Sequence, residues 1–540
     1  MAASKIRFNF WPALAILVSG VIFLAILFYI LDVSAPKGWD EAMYLNRVYY
    51  DWNIFKAEGF QKLIGALHYQ EPMRPPGYRI EVLPFNLMFG VHLTALRLHG
   101  LFFWMLTLWL VYGTAKMLAG VEGGAFAVIF LALSPVLAHS AQFLMTEHLL
   151  HFALALLLFV TVRMIKKGRQ TFFDWILLAF SVTTGGMAKL SFFFLFGPFV
   201  LILFFLGFQN KKINPRPLFL ITSAGFGGLL LLPWWASNWP DAVDYLFHTA
   251  GATDRFQFGS AFSVSKLVTW IKIVLWTVMG PASVLVTVIL FAAFLLRWNK
   301  IKTEQKITVG LLIASITPML LINYFGPNPH PRFIGPALFA FSVALAVMGQ
   351  STGWFKSGAG RLIFAALFIW QLTVMVWRTP GEPRYQKADD SKTIFLGDYT
   401  SMFRRPDQWN WEKFRTVVSE REYERPIIGM LGMGPSLSPP QITVPWAKRG
   451  IEPDIRYLWR LENGPIDWER VMQAAGECDV VLTAPGFAGN IRNKNVFDNQ
   501  HNREFAERLS ADNRFERPIR LNLSKHEPVD LVVFVRTRTS

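Results

Sequence analysis

The sequence predicts a polytopic α-helical membrane protein that carries a soluble α/β domain after its last membrane helix. Three observations lead to this fold class. The chain of 540 residues is 53% hydrophobic and 17% charged, which is too little charge to cover a soluble protein of this size. Apolar runs about as long as a bilayer core is thick recur as far as Trp377. From Arg378 onward, charged residues and short strand-like segments replace these runs.

Hydropathy predicts about eleven membrane helices in a transmembrane domain of residues 1–377. Their predicted ranges are Trp11–Leu31, Thr94–Met117, Ala125–Ala141, Leu149–Ile165, Phe172–Met187, Ser191–Phe208, Leu218–Ala236, Ala282–Trp298, Ile307–Tyr324, Ile334–Met348 and Leu362–Trp377. The first run is expected to be retained, because it is longer than the apolar core of a signal peptide and no small-residue cleavage site follows it.

The distribution of charge predicts the orientation of the chain. Basic connections lie at residues 163–169, 209–216 and 297–302, and the positive-inside rule places them in the cytoplasm with the amino terminus. Most acidic residues of the membrane part lie in the opposite connections. The first outer loop, residues 32–93, and the final domain, residues 378–540, are therefore predicted to be periplasmic.

The net charge of +16 does not indicate a nucleic-acid partner. The membrane part holds 28 basic and 14 acidic residues, whereas the final domain holds 25 basic and 23 acidic residues. The excess of basic residues therefore lies in short loops beside the bilayer, and the bilayer is the predicted partner. The single cysteine, Cys478, excludes an internal disulfide.

The segment Ser263–Pro281 is predicted to be an amphipathic helix in the outer membrane interface. It carries Lys266, Trp270, Lys272 and Trp276, and with the next helix it is too long for one crossing. If it spans the membrane instead, the final domain would lie in the cytoplasm. The first outer loop is expected to contain similar interfacial helices.

The final domain is predicted to be a small α/β layer. Residues 426–434, 478–486 and 528–536 have the pattern of buried strands, and residues 467–476 and 502–510 that of intervening helices. The glycines of the first strand are similar to a dinucleotide-binding loop. A proline-rich segment follows them where such a loop requires a helix, so no nucleotide site is predicted.

Charged and polar residues gather in the outer connections, close to predicted helix ends. They are Asp40, Glu41, Arg74, Tyr78 and Arg79 in the first loop, Glu147, His148 and His151 in the second, Lys189 in the third, and His330 and Arg332 in the fifth. Because bundling brings helix ends to one depth in the bilayer, these residues are predicted to meet.

This mixture of residues suits transfer of a group away from a phosphate. Several cations from separate loops would hold the phosphate, and arginine fits its multidentate recognition. A nearby carboxylate can take the proton of an attacking hydroxyl while the cations stabilise charge on the departing phosphate. The sequence shows no activated serine or cysteine nucleophile and no zinc-ligand spacing, so neither a metal nor another cofactor is predicted.

Several of these residues also have a purely structural interpretation. Lys189 or Arg332 could reach toward lipid headgroups, and Glu147 could stabilise the amino end of its helix. Arg97 is interpreted as a membrane anchor, and Tyr44 with the neighbouring aromatics as a membrane-interface belt. The adjacent acids of the first loop fit this interpretation poorly, because acids at a membrane edge are electrostatically costly.

Five motifs together give the chain a family resemblance. In order they are "GWDEAMY" (38–44), "RPPGYR" (74–79), "TEHLL" (146–150), "AKLSFFFLFGP" (188–198) and "HPRFIGPALFAF" (330–341). The set resembles the membrane-embedded glycosyltransferases of the GT-C fold. This group includes the protein O-mannosyltransferases and the bacterial transferases that attach aminoarabinose to lipid A.

The resemblance implies an enzyme of the bacterial inner membrane whose sugar donor is a polyprenyl phosphate that carries one sugar. The sugar would pass, with inversion and without a nucleotide sugar, to a hydroxyl acceptor outside the membrane. That acceptor could be a glycolipid such as lipopolysaccharide, a polysaccharide or a protein. The final domain has no match to the β-trefoil domain of the O-mannosyltransferases, which leaves the acceptor open.

The resemblance also implies roles for individual residues. Asp40 would be the general base, and Glu41 would position the acceptor or the base. The donor phosphate would bind Arg74, Arg79, Lys189 and Arg332. The acceptor or sugar would contact Tyr78, Glu147, His148 and His330. Family members that move single sugars generally need no divalent metal, although Asp40, Glu41 and Glu147 could still form a metal site.

Two other functions remain open from the sequence. A multi-pass transporter or lipid flippase would need ionisable residues near the bilayer midplane, and the predicted helix centres carry almost none. A non-catalytic scaffold that presents the final domain would tolerate substitution of both Asp40 and Arg332.

Overall fold

A computed structural model describes residues 9–36, 38–167, 171–193, 195, 217–251, 263–326, 330–376, 409–423, 425–431, 437–459, 465–485, 499–523 and 530–537. Apart from residues 191–193 and 195, the predicted helix Ser191–Phe208 lies outside this set. The basic connection at 209–216 also lies outside it.

The membrane part consists of α-helices joined by short connections. In chain order the helices are α1 (Phe10–Asp32), α2 (Gly38–Glu58), α3 (Phe60–Tyr69), α4 (Gly77–Glu81), α5 (Leu83–Phe89), α6 (Leu93–Ala132), α7 (Pro135–Ser140), α8 (Glu147–Lys167), α9 (Phe172–Ala188), α10 (Pro217–Gly251), α11 (Val264–Lys272), α12 (Pro281–Leu296), α13 (Thr303–Phe325), α14 (Ala337–Thr352) and α15 (Gly358–Val376). A π-helical turn, Ile273–Met279, follows α11, and 3₁₀ turns lie at Trp298–Lys300 and Pro331–Phe333.

Five helices in the described part of the chain, α1, α6, α8, α13 and α15, are long and apolar enough to cross a membrane. A bent pair made of α11 with its π turn and α12 would make a sixth, and α9 and α14 are apolar but shorter. The structure therefore has the predicted character of a polytopic helical membrane protein.

Helix α6 lies at the centre of the bundle, where it packs against α1, α8 and α14. It is interrupted at Gly120, whose φ of 74° is readily adopted by glycine, so the helices predicted at 94–117 and 125–141 form two arms of one element. The second arm ends at Ala132 rather than Ala141, because Pro135 cannot continue a helix and begins α7 instead.

The segment predicted to be interfacial, Ser263–Pro281, forms α11 and the π turn, and the chain then bends by 99° at Gly280. Gln371 of α15 satisfies backbone groups at this break. Its side chain donates to the carbonyl of Met279 at 3.0 Å and accepts from the amide of Ser283 at 3.0 Å. The bend agrees with the prediction that this segment and α12 do not form one straight crossing. The position of the segment in the membrane interface stays a prediction.

The final domain contains the predicted α/β layer. Its elements are α16 (Trp411–Ser419), β1 (Ile427–Met430), α17 (Pro439–Ala447), β2 (Asp454–Tyr457), α18 (Trp468–Gly476), β3 (Val480–Thr483), α19 (Asn499–Ser510), β4 (Ile519–Asn522) and β5 (Asp530–Val535). The sheet has the order β2-β1-β3-β5-β4, in which β2, β1 and β3 are parallel and β5 runs antiparallel to both β3 and β4. Apolar clusters cover both faces.

The final domain docks on the first outer loop through α17 and α2. The amide nitrogen of Asn46 donates to the carbonyl of Pro440 at 2.8 Å, and that of Asn53 donates to the carbonyl of Ala447 at 3.0 Å. Val444 packs in the apolar cluster of the first loop. The domain is therefore attached to the helix that begins with the two adjacent acids.

Candidate active site

The two adjacent acids lie in the first turn of α2 but face different surroundings. Successive residues of a helix point about 100° apart, so neighbours in sequence do not share a face. The side chain of Asp40 is 34% exposed, whereas that of Glu41 is fully buried. The helix geometry therefore separates the chemistry that these two acids can perform.

Arg332 reaches Asp40 from the 3₁₀ turn that precedes α14. Its Nη1 donates to Oδ2 of Asp40 at 2.7 Å, and its Nε lies 3.5 Å from Oε1 of Glu147. Burial opposes the charge of Arg332, but Glu147 and Asp40 outweigh it and raise the pKa of this guanidinium above its ordinary value. Arg332 is therefore a permanent cation that bridges two acids.

Lys189 completes the group of charges where α9 ends. Its Nζ donates to Oε1 of Glu147 at 2.8 Å and lies 4.6 Å from the ring centre of Phe333. Glu147 begins α8 and its side chain is 2% exposed. We call Asp40, Glu147, Lys189 and Arg332 the ion-pair quartet, since it contains two acids and two cations that come from four separate elements.

Arg74 lies in the connection between α3 and α4 and contacts aromatic residues. Its Nη2 donates to the hydroxyl of Tyr245 at 2.9 Å, and its Nη1 lies 3.3 Å from Oε1 of Glu71. The guanidinium carbon lies 5.2 Å from the ring centre of Tyr245 and 5.8 Å from that of Tyr44. Arg74 is partly exposed and keeps its charge available to a bound anion.

Tyr44 lies between Arg74 and the quartet, one helical turn after Asp40. Its interpretation as part of a membrane-interface belt is wrong, because the side chain is buried and lies within electrostatic reach of Arg74, Glu147, Asp40 and Arg332. Burial raises the pKa of the Tyr44 phenol above its ordinary value, so the hydroxyl stays protonated at neutral pH. It is a fixed neutral donor beside charged groups.

Tyr78, predicted to contact the acceptor or sugar, packs against the ring of Tyr44. It is fully buried, its ring centre is 4.6 Å from that of Tyr44, and its hydroxyl donates to Glu71 at 2.7 Å. The adjacent Gly77 is a close-approach position, because a Cβ there would collide with the backbone carbonyl of Met187 in α9. The "RPPGYR" loop is thus packed tightly against α9, close to Lys189.

Glu41 is placed in a buried ion pair with Arg97. The Nε and Nη2 of Arg97 donate to the two oxygens of Glu41 at 2.8 and 2.7 Å, and the amide of Leu144 donates to Glu41 at 3.0 Å. Arg97 also donates to the carbonyls of Val33 and Ala35. Burial keeps Glu41 from contact with an acceptor, whereas its other predicted role, positioning of the base, stays a prediction; Arg97 is not an exposed membrane anchor. The pair holds the start of α2 to the ends of α1 and α6.

Arg79, predicted to bind the donor phosphate, is not brought to the quartet. Its Nε donates to Oδ2 of Asp51 at 2.7 Å, its Nη2 donates to the carbonyl of Ala66 at 3.1 Å, and its side chain is 1% exposed. A buried guanidinium that already has a bidentate carboxylate partner is not free to bind a lipid phosphate. Its role in this structure is to join α4 to α2 and α3.

The two histidines that were predicted to contact the acceptor or sugar have different positions. His148 is buried, with its Nε2 2.6 Å from the carbonyl of Phe143, and it packs against Gly100 of α6. These contacts indicate a packing role rather than contact with an acceptor. His330 lies at the edge of the quartet, where its Nδ1 accepts from the amide of Arg332 at 3.3 Å and thereby caps the turn that carries this arginine.

Two aromatic residues of the site escaped the sequence reasoning. Phe333 follows Arg332 directly, and its ring lies beside both quartet cations. Tyr245 lies 171 positions from Arg74 in sequence, in an aromatic-rich helix with no pattern that marks one tyrosine. Among the residues that the structure describes, no three His, Cys, Asp or Glu side chains gather in a possible metal site. Both quartet acids instead face cations.

Comparisons with known proteins bear on the fold and on the class of protein. The family model of the dolichyl-phosphate-mannose-protein mannosyltransferases matches residues 74–236, which include Arg74, Glu147 and Lys189. No curated protein sequence matches the chain.

Solved structures share the fold across nearly the whole chain. ArnT from Cupriavidus metallidurans in the apo state is 11% identical with a TM-score of 0.59, and the alignment covers 96% of this chain and 97% of that one. The same protein bound to undecaprenyl phosphate has a TM-score of 0.57 at the same identity and coverage. The oligosaccharyltransferase of Archaeoglobus fulgidus, tethered with an acceptor peptide, is 11% identical with a TM-score of 0.52, covering 88% of this chain and 69% of that one.

These likenesses confirm the predicted fold, a GT-C transmembrane domain followed by a small α/β domain. The stated resemblance is confirmed as well, because both the matched family model and the structures of similar fold belong to the GT-C glycosyltransferases. The predicted class, a membrane glycosyltransferase, agrees with these findings. The five motifs lie in a chain whose fold these solved structures share.

Proposed function

We propose that this protein transfers a single sugar, with inversion, from a polyprenyl-phosphate donor to a hydroxyl acceptor at the periplasmic face of a bacterial inner membrane. The observation that carries the proposal is the ion-pair quartet, in which one partly exposed acid lies beside two cations. The structure of ArnT with bound undecaprenyl phosphate supports the donor class, since that protein shares this fold.

In the proposed reaction Asp40 accepts the proton of the acceptor hydroxyl. The acceptor oxygen forms a bond to the anomeric carbon on the face opposite the phosphate, and the bond from that carbon to the phosphate oxygen breaks. The electron pair of the broken bond stays on the polyprenyl phosphate, where Arg332 and Lys189 stabilise the charge. The proton then passes from Asp40 to water.

We propose a changed role for Glu147 and keep for Glu41 the predicted role of positioning the base. Glu147 lies in contact with both quartet cations and is nearly fully buried, so we propose that it orients Lys189 and Arg332 rather than binding sugar hydroxyls. Glu41 is proposed to fix the start of α2, and with it Asp40, through Arg97. Arg74 and the phenol of Tyr44 complete the donor side of the site.

The periplasmic orientation rests on the basic connections, and the acceptor remains a glycolipid such as lipopolysaccharide, a polysaccharide or a protein. The proposal is tested by mass spectrometry of polyprenyl-phosphate sugars and envelope glycoconjugates. Cells would carry the wild-type protein, Asp40→Asn, Glu122→Gln or no protein. Glu122 is a matched control because it forms an ion pair of similar exposure with Arg361, away from the quartet.

We expect the deletion to lose a single sugar from one glycoconjugate. Asp40→Asn should lose the same sugar although its protein level equals that of the wild type. Glu122→Gln should retain that sugar. If Asp40→Asn matches the wild type while the deletion loses the sugar, Asp40 is not the base. If no glycoconjugate changes in the deletion, the transfer reaction itself is refuted.

A further inference from the structure

The two cations of the quartet are paired with acids. Lys189 contacts Glu147 at 2.8 Å, and Arg332 contacts Asp40 at 2.7 Å. The quartet is therefore electrically balanced before a substrate enters. A phosphate that binds these cations has to compete with a carboxylate for at least one of them.

The two acids differ in how readily they can release a cation. Glu147 is 2% exposed and lies between Lys189 and Arg332, so its separation from both would leave a buried charge unpaired. Asp40 is 34% exposed, and water can hydrate its carboxylate when the ion pair opens. Competition for Arg332 is therefore much less costly at Asp40 than at Glu147.

Arg332 also has a buried donor on the side of Glu147. Its Nε–H has no hydrogen-bond acceptor among the described residues, since Glu147 lies at 3.5 Å. Buried donors of this kind usually find a partner. A guanidinium that leaves Asp40 can satisfy this Nε–H on Glu147 and donate both Nη groups, including the Nη1 that Asp40 holds, to two phosphate oxygens, which is the bidentate geometry that arginine prefers.

We propose that Asp40 and the donor phosphate compete for Arg332, so that the catalytic base becomes free only when the donor is bound. This inference rests on the proposed function and adds an order of events to it. In the ion pair, Oδ2 of Asp40 accepts its hydrogen bond from Nη1 of Arg332. When the phosphate takes this guanidinium, the same oxygen becomes available to accept the proton of the acceptor hydroxyl.

The test measures equilibrium binding of undecaprenyl phosphate to the purified full-length protein in lipid nanodiscs. It compares the wild type, Asp40→Asn, Arg332→Ala and the double variant, with Glu122→Gln as the control for loss of one negative charge elsewhere. We expect Asp40→Asn, although inactive, to bind the phosphate about two- to fivefold more tightly than the wild type, because Arg332 is released from a partly exposed ion pair. Arg332→Ala should bind more weakly, and Asp40→Asn should have no effect in that background.

Each other result has a defined meaning. Unchanged or weaker binding by Asp40→Asn, with weaker binding by Arg332→Ala, overturns the competition but leaves the proposed donor class in place. If Asp40→Asn tightens binding equally in the wild-type and Arg332→Ala backgrounds, or if Glu122→Gln tightens binding as much, the effect is one of general electrostatics. Either result also overturns the competition. If even the wild type fails to bind undecaprenyl phosphate while it remains folded, the donor class in the proposed function is wrong and the competition falls with it.

Discussion

Substitution of the two adjacent acids should separate a catalytic role from a structural one. Glu41 and Arg97 form an ion pair in which both side chains are fully buried. Removal of one partner from such a pair costs about 3–5 kcal/mol, because an unpaired charge remains in the interior. Glu41→Gln keeps the volume of the side chain and an acceptor for the amide of Leu144. Arg97 still donates hydrogen bonds to two backbone carbonyls. We therefore expect the lower end of that range, about 3 kcal/mol.

Asp40→Asn should have the opposite profile. Its ion pair with Arg332 is partly exposed on both sides, and pairs of that kind contribute about 0–1 kcal/mol. The variant should therefore be close to the wild type in stability and inactive in sugar transfer. The assay is unfolding in mixed detergent–SDS micelles, followed by circular dichroism, alongside the mass-spectrometric assay of sugar transfer.

A double-mutant cycle provides the control. Glu41→Leu combined with Arg97→Met removes both buried charges, and it should be more stable than the sum of the two single losses predicts, by at least about 1.5 kcal/mol. The reasoning is refuted if Glu41→Gln unfolds at the same SDS fraction as Asp40→Asn. It is also refuted if the losses of the cycle are simply additive.

Three further predictions follow from the packing around the site. Gly77→Ala should destabilise the protein by about 1–3 kcal/mol, because the new methyl group meets a backbone carbonyl. Gly65→Ala places its methyl group in open space within a helix and should not destabilise the protein. Equal stability of these two variants in the SDS assay would contradict the prediction. Asn46→Ala combined with Asn53→Ala should loosen the final domain, seen as faster limited proteolysis of the intact chain, whereas an unchanged rate would mean that these hydrogen bonds do not secure the docking. Arg79→Gln should lower stability yet leave the dissociation constant for undecaprenyl phosphate within about twofold in the folded fraction, and a tenfold weakening would restore it as a phosphate ligand.

The helices of the membrane part were predictable because their signal is local. An apolar run that is long enough to cross a bilayer is visible in any window of the sequence, and Trp11–Leu31 became α1 with a shift of one residue at each end. Strands β1, β3 and β5 of the final domain were predictable for the same reason, since each is a short buried run. Strands β2 and β4 are partly exposed and were not predicted. The exact ends of the helices were less predictable, because Pro135 interrupts a helix that was predicted to continue past it.

The individual partners of the charged residues were not predictable. Glu41 was predicted to position the acceptor or the base, and Arg79 to bind a phosphate, because both lie in motifs rich in charge. Each is instead half of a buried ion pair, with Arg97 and Asp51 respectively. A motif shows that a charge is present, whereas its burial depends on which elements pack over it.

The sequence by itself determined the membrane character of the first part, the final α/β domain and the charged residues from which the site is drawn, since hydropathy, periodicity and loop charge are properties of neighbouring residues. The tertiary structure alone decided which cation meets which acid. Arg332 and Asp40 are 292 positions apart and meet because the ends of their elements come together. Contacts over such separations arise from the packing of the whole bundle, so no local pattern records them.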